Sequence, residues 1–496
     1  MPVRNAPDPV TNERSRSSAP WVIAAFLLFG ATLAMRFPGV AMYDSVTQYE
    51  QATTGIYSDW HPPIMARTWA LLNHLRHGTA PFFLIQMLLW WGGIGALSAA
   101  LGRRQKHGAA AFALLVGIAP LWLGWATVVL KDAQMACCLV GAAGLVAHWR
   151  LGEKRMPRGA VALAVLLIAY ATLVRGNAAF ATIPFALALF DWPRLPRLWN
   201  KVAAVAALIG AVLIINPVLD RYVFRAEHTG VENSLPLYDM AGIAHKARLT
   251  GLPGLDAQGW AMAEQKGCYT PFFWNPYGED SQCGFVGDAV IFDHLDDRRM
   301  MAEWAKLVVA HPLAYVAHRI GHLNSNLRFW VGPGEPDADP PADSEPSTDA
   351  LGARANPAGQ ELIAAAHVMA ASPLGWPIVW LAISAGLLWA SKGLSDPQAR
   401  LGRALAGSAL CMSASFAFVS IASDLRYHLW SMVAAALALI LLLDTRALDR
   451  RRGFIAAGAL IGVIVIGTIA RLGAAPSVYV PLPHVAPPPP APLSSD

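Results

Sequence analysis

A polar stretch carrying Asp44, Gln48, Gln51, Asp59 and His61 interrupts an otherwise apolar sequence. Two carboxylates, an imidazole and two amides can take up a proton and orient a hydroxyl. Asp44 follows a long apolar run, where a carboxylate borders a low-dielectric medium. Its pKa is there open to upward tuning, which suits a general base. A short helix is expected from Asp44, as N-cap, to about Thr54, with Gly55 as its stop. Asp44, Gln48 and Gln51 then share one face. The plainer roles are a cap for Asp44 and a turn before Pro62-Pro63 for Asp59. A second, amphipathic helix follows, with Met65, Trp69 and Leu72 on one side.

Three further cations stand in short turns between apolar runs: Lys131-Asp132, Arg175-Gly176-Asn177 and Asp424-Leu425-Arg426-Tyr427-His428. Two uses fit them. One is local pairing, Lys131 with Asp132 and Arg426 with Asp424. The other is a shared anion, most simply a lipid phosphate at headgroup level. Residue types alone leave both open.

The elements that must position these groups are membrane spans. The chain of 496 residues is 55% hydrophobic and 14% charged, against about 25% charged in a typical soluble domain. Its net charge of +5 lies in short basic clusters between apolar runs. Those read as topology signals and exclude a nucleic-acid partner. A span needs about 20 apolar residues. Such runs occur near 20–38, 81–101, 108–128, 133–149, 159–175, 177–192, 201–217, 373–391, 402–422, 427–444 and 453–471. The expected fold is an all-α polytopic membrane protein of about eleven helices. Arg36-Phe37-Pro38 after the first run is no small-residue cleavage site, so that run reads as a retained span. One set of loops holds Arg4, Arg14 and Arg16; Arg103, Arg104 and Lys106; Arg150, Lys154, Arg155 and Arg158; Arg194, Arg197 and Lys201; Lys392, Arg400 and Arg403; and Arg446 with Arg450 to Arg452. The short turns on the opposite side carry one cation apiece: Lys131, Arg175 and Arg426. The positive-inside rule places the N-terminus in the cytoplasm.

The expected organisation is a cytoplasmic tail 1–19, a membrane module 20–217 with outer loop 39–80, an outer insertion 218–372, a membrane module 373–471 and a Pro-rich outer tail 472–496. Cys268 and Cys283 lie in the insertion, where an oxidising compartment permits a bridge worth about 3 kcal/mol. Cys137, Cys138 and Cys411 fall in spans, as small core residues. A helix is expected over Arg298 to Trp330, with a new turn starting at Pro312. His311, His318 and His322 share its face. Without carboxylates at ligand spacing they read as interfacial polar residues rather than a metal site.

Together these residues resemble the GT-C superfamily of integral-membrane glycosyltransferases, which carry an essential Asp in the first extracytoplasmic loop. Asp44 occupies that position. Asp59-Trp60-His61-Pro62-Pro63 is similar to the His-Pro-Pro element of protein O-mannosyltransferases and to the Pro-Pro element of lipid A aminoarabinose transferases. The Lys131-Asp132, Arg175-Gly176-Asn177 and Arg426-Tyr427 turns are similar to short motifs of bacterial members. Ser45 stands where the O-mannosyltransferases have Glu, and the Arg175 turn lacks the proline frequent in comparable ones. The resemblance implies a GT-C-like fold with a largely helical periplasmic insertion, in a bacterial inner membrane. It implies inverting transfer of a sugar from a polyprenyl-phosphate donor to a periplasmic envelope glycan, lipid or protein. Asp44 would be the base. Asp59 would assist it, bind acceptor or coordinate a divalent ion, the one cofactor that enters. Lys131, Arg175, Arg426 and His61 would hold the donor phosphate; Gln48, Gln51, Asn177 and Tyr427 would bind sugar or acceptor. A flippase or transporter would need mid-span charges and repeated halves, neither of which is visible. A polymerase or ligase of lipid-linked polysaccharide would share the outward cations without needing Asp44.

Overall fold

The computed structural model describes residues 18–189, 198–278, 281–293, 297–346 and 351–473. The basic residues Arg4, Arg14, Arg16, Arg194 and Arg197 and the Pro-rich tail from 474 onward lie outside them. Everything described is helix or loop; the only β pairings among the described residues are isolated bridges.

The first half holds α1 (Ala19–Arg36), α2 (Tyr43–Thr54), α3 (Ile64–Asn73), α4 (Ala80–Arg103), α5 (His107–Ile118), α6 (Pro120–Ala126), α7 (Lys131–Arg150), α8 (Arg158–Leu173), α9 (Ala179–Leu189) and α10 (Leu198–Val218). The insertion holds α11 (Ser234–Ala247), α12 (Ala257–Gln265), α13 (Gly284–Gly287), α14 (Asp297–Ala310), α15 (Pro312–Leu327) and α16 (Pro357–Ala371). The chain closes with α17 (Pro377–Ala390), α18 (Pro397–Val419), α19 (Leu429–Asp444) and α20 (Arg450–Gly473).

Every expected span falls on one of these helices or on the bent pair α5–α6, but the lengths differ from expectation. Six helices are long and apolar enough to cross a membrane: α1, α4, α18, α20, α10 with its extension to Val223, and α19 with the turn before it. The α5–α6 pair makes up to seven; it bends by 57°. Pro120 causes the bend, since it removes an N–H and holds Ala119 out of the helical region. Helices α8, α9 and α17 are shorter. So eleven is not a count the lengths alone fix.

The centre of the bundle is α4, α7, α18 and α19, and α7 is buried on nearly all sides. Close approach of α4 and α7 depends on missing side chains. A Cβ on Gly144 would run into the Gly93 carbonyl, and one on Gly93 would meet the Val140 carbonyl. Small residues at such contacts let membrane helices pack on backbone rather than on side chains. By contrast α1, α10 and α20 present mostly exposed apolar surface, as spans at the rim would.

The insertion has its own core, with Leu237, Tyr238, Trp260, Tyr277, Val286 and Met300 around the Cys268–Cys283 disulfide. The expected helix after Arg298 is two helices, α14 and α15, parted at His311-Pro312. His318 and His322 on α15 are fully buried there, so they are not the interfacial residues expected. His318 faces Asp239 at 3.2 Å and His322 bonds the Pro271 carbonyl at 2.8 Å. Among the described residues no group of three or more His, Cys, Asp or Glu could hold a metal ion.

Candidate active site

Asp44 is brought to the bundle by the residues before it. Val40 N–H bonds the Thr127 carbonyl (3.2 Å), and Val129 N–H bonds the Val40 carbonyl (2.8 Å). Residues 39–41 are thereby laid along 127–129, the stretch that leads into α7. Gly39 is required twice over: its φ is +95°, and a Cβ would stand 2.8 Å from Phe83 and Val129. Arg36, at the end of α1, is buried and donates to Pro341 O (2.7 Å), Ala342 O (3.1 Å) and Thr127 Oγ1 (3.2 Å). Helix α2 runs to Thr54, and Gly55 closes it in the left-handed region. Its N-cap is Met42, not Asp44, and the Met42 N–H bonds Ser45 Oγ at 3.0 Å. That leaves the Asp44 carboxylate, in the first turn, free for other partners.

Those partners come from three distant segments. Asp44 Oδ2 lies 3.3 Å from Lys131 Nζ and 3.3 Å from Arg426 Nη2. Asp44 Oδ1 faces His61 Nε2 at 3.8 Å. Lys131 Nζ donates to His61 Nδ1 at 2.6 Å. That bond leaves the ring proton on Nε2, towards Asp44. Arg426 also pairs with Asp424 (3.0 Å). Lys131 thus pairs with Asp44 rather than with its neighbour Asp132, which pairs instead with Arg175. Arg175 and Arg426 both lie over the Tyr427 ring, at 4.2 and 5.4 Å.

Electrostatics at Asp44 run opposite to the sequence expectation. Burial raises its pKa, but Lys131, Arg426 and His61 together outweigh burial and hold the carboxyl far below the usual carboxylate range. Burial and Lys131 push His61 down to about 3, Asp44 only partly opposing them. The cluster is therefore an ionised carboxylate held by two cations, beside a neutral imidazole.

Of the other expected site residues, Asp59 lies apart from this cluster. Asp59 accepts from Thr229 N–H (2.7 Å) and Thr229 Oγ1 (2.6 Å) and pairs with His228 (2.9 Å). Burial would raise its pKa, but those bonds outweigh it and lower it. No contact joins Asp59 to Asp44 among the described residues; it fastens the first loop to the insertion. Gln48 bonds the Asp44 carbonyl (3.2 Å) and Gln51 bonds Ser58 Oγ (3.0 Å), both from the buried side of α2. The Gln48 Oε1 atom is buried with no partner among the described residues. Asn177 accepts from Arg175 Nε at 2.8 Å. Two surface depressions of about 660 and 690 Å³ lie on the insertion, and neither is lined by a residue of this cluster.

Arg426 is placed by residues the sequence reading does not single out. From the end of α15, Asn326 bonds Ser420 Oγ (3.1 Å), Ala422 O (2.8 Å) and His428 Nε2 (2.6 Å). Ser325 bonds Ser423 (3.0 Å), and Arg319 bonds Ser420 O (2.7 Å). Buried Arg328 donates to Pro336 O at 2.7 Å. The one available signal is Arg36, a cation that directly ends an apolar run.

No family model matches this sequence, and no curated protein does. Among solved structures, the archaeal oligosaccharyltransferase AglB from Archaeoglobus fulgidus, in complex with an inhibitory peptide and a dolichol-phosphate, aligns over 91% of this chain at 13% identity and a TM-score of 0.33. The chain spans 55% of the length of that structure.

Proposed function

We propose that this chain is a GT-C-type glycosyltransferase that takes a sugar from a polyprenyl-phosphate donor and passes it to a periplasmic acceptor hydroxyl on a glycan, lipid or protein. The observation that carries this reading is the convergence of Asp44, His61, Lys131 and Arg426, from segments far apart in sequence, at the insertion end of a bundle of apolar helices.

Without substrate Asp44 is a poor base, because two cations stabilise its charge. A donor phosphate competes for those cations. As Lys131 and Arg426 turn to the phosphate, Asp44 loses its stabilising charges and its basicity rises. Its Oδ1 atom, the oxygen not paired with those cations, then takes the acceptor proton. The acceptor oxygen attacks the anomeric carbon opposite the phosphate, the C–O bond to phosphate breaks, and the electron pair leaves with the phosphate. Lys131 and Arg426 hold the charge that develops there. Back-side attack inverts the anomeric centre. His61 is neutral and orients Lys131 and the phosphate. Arg175 supports the Arg426 turn through Tyr427. Asp59 anchors the loop and takes no part in proton transfer. The membrane is the bacterial inner membrane, with the N-terminus cytoplasmic and the insertion covering the site outside.

The test is release of polyprenyl phosphate from sugar-bearing donors by purified protein in nanodiscs. Asp44→Asn should lower turnover by at least about 100-fold. It should also destabilise the fold by about 3–5 kcal/mol, since buried Lys131 loses its counter-charge while Arg426 keeps Asp424. Asp44→Asn with Lys131→Met removes that cation, so stability should return while turnover stays low. Near-normal turnover in either variant sinks the assignment of Asp44 as base.

A further inference from the structure

Asp59, Trp60 and His61 are consecutive, and each engages something different. Asp59 holds Thr229 of the insertion, and His61 meets Lys131 and Asp44. Trp60 meets Trp274, with ring centroids 5.6 Å apart and planes tilted by 46°. Trp274 in turn is tied to the loop that carries Arg426: its N–H bonds the Ile421 carbonyl at 3.0 Å, and its neighbour Phe273 bridges Ala422. The two indoles therefore span from the segment that supplies His61 to the loop that supplies Arg426. Trp60 is 40% exposed, although the residue after it is buried.

We propose that Trp60 and Trp274 form an aromatic wall that stacks against the sugar ring of the donor. A sugar ring has a C–H face and a hydroxyl rim. The flat apolar face of an indole matches the first and leaves the second in water. The wall adjoins the phosphate-binding cations through a peptide bond at Trp60–His61 and through the 421–426 loop at Trp274. A sugar ring attached to a phosphate on Lys131 and Arg426 is bonded directly to that phosphate, so the groups that hold it must come from segments next to the cations. The indoles are tilted rather than stacked face to face, and Trp60 is 40% exposed. The proposal rests on the donor reading above, and the test separates the two.

The experiment measures binding of farnesyl phosphate, bare or carrying glucose, mannose, galactose or arabinose, to full-length protein in nanodiscs. Wild type should bind at least one sugar-bearing probe more tightly than the bare one. Trp60→Ala and Trp274→Ala should bind the bare probe as wild type does, and lose roughly three- to ten-fold on the preferred sugar-bearing probe. Trp60→Phe and Trp274→Phe should keep most of the preference, which guards against misfolding in the alanine variants. If both alanine variants keep the wild-type preference, or if they lose bare and sugar-bearing probes equally, the pair is only a buckle between loop and insertion and the wall is overturned. Wild type that binds all probes equally also overturns it, with the phosphate site still standing. Wild type that binds no probe overturns the donor reading and the wall with it.

Discussion

His322 is fully buried on α15, where its ring bonds the Pro271 carbonyl and the Tyr238 hydroxyl (3.2 Å). Burial pushes its pKa down to about 3, the Pro271 bond opposing and Arg319 and His318 adding to the fall. In the unfolded chain it titrates near 6.5. The native state therefore binds fewer protons than the unfolded one between those values. Stability from His322 is complete above about pH 6.5 and is lost as pH falls towards 3, by up to about 1.4 kcal/mol per unit. His322→Asn keeps a donor where Nδ1 stands but cannot charge. Chemical melts at pH 7 and pH 4.5 should show a smaller acid loss in that variant than in wild type; parallel losses would mean His322 is not held neutral. Residue types on the sequence suffice to pick out Asp44, His61, Lys131 and Arg426, because unusual polarity next to apolar runs is visible without a fold. What they do not give is pairing. Lys131 looks to Asp132 along the chain, yet in space Asp132 goes to Arg175 and Lys131 to Asp44. The same blindness reverses the pKa of Asp44: a lone carboxylate at a membrane edge would rise, and a doubly paired one falls.

At the scale of elements, α15 acts as an arm. Its middle, with His318 and Arg319, is built into the insertion core through Asp239. Its end, with Ser325 and Asn326, grips the 420–428 loop. Arg426 therefore takes its position from the insertion as well as from α19. Asn326→Ala should remove the bonds to Ser420, Ala422 and His428 and cost about 1–3 kcal/mol, the penalty for buried groups left without partners. Loosening of the loop should raise KM for the sugar-bearing donor more than that destabilisation explains, read at a temperature where the variant is still folded. An unchanged KM would mean that α19 alone positions Arg426. This arm is hard to see in sequence, since Asn326 and Ser420 are ordinary polar residues and lie far apart in the chain. Short helices near the first loop are easier. Gly55 announces the end of α2 because few other residues tolerate its left-handed geometry. The start is misread because Ser45 caps the helix from inside it, through the Met42 N–H.

For the whole molecule, the two ends of the bundle handle cations differently. At the insertion end Lys131, Arg175 and Arg426 are nearly buried and bound to carboxylates. At the other end, pairs such as Arg104 with Glu153 are open to solvent, and Arg450 to Arg452 cluster at the start of α20. Cations in short loops resist translocation, and the positive-inside rule keeps them on the cytoplasmic side. The proposed orientation puts the solvent-facing cations of the short loops in the cytoplasm. In the proposed orientation the insertion lies outside the cytoplasm, in a compartment that permits its disulfide. Single cysteines test the assignment. Cys137 and Cys138 are buried, so only Cys411 needs replacement with serine in the background. Leu313 is 84% exposed on the insertion, and the Glu153 side chain is 80% exposed at the opposite end. With a membrane-impermeant maleimide on spheroplasts, Leu313→Cys should label at once and Glu153→Cys only after permeabilisation. The reverse pattern would turn the protein over, and would leave the Asp44 cluster facing a compartment in which polyprenyl-linked sugars would have to be presented from the cytoplasmic leaflet.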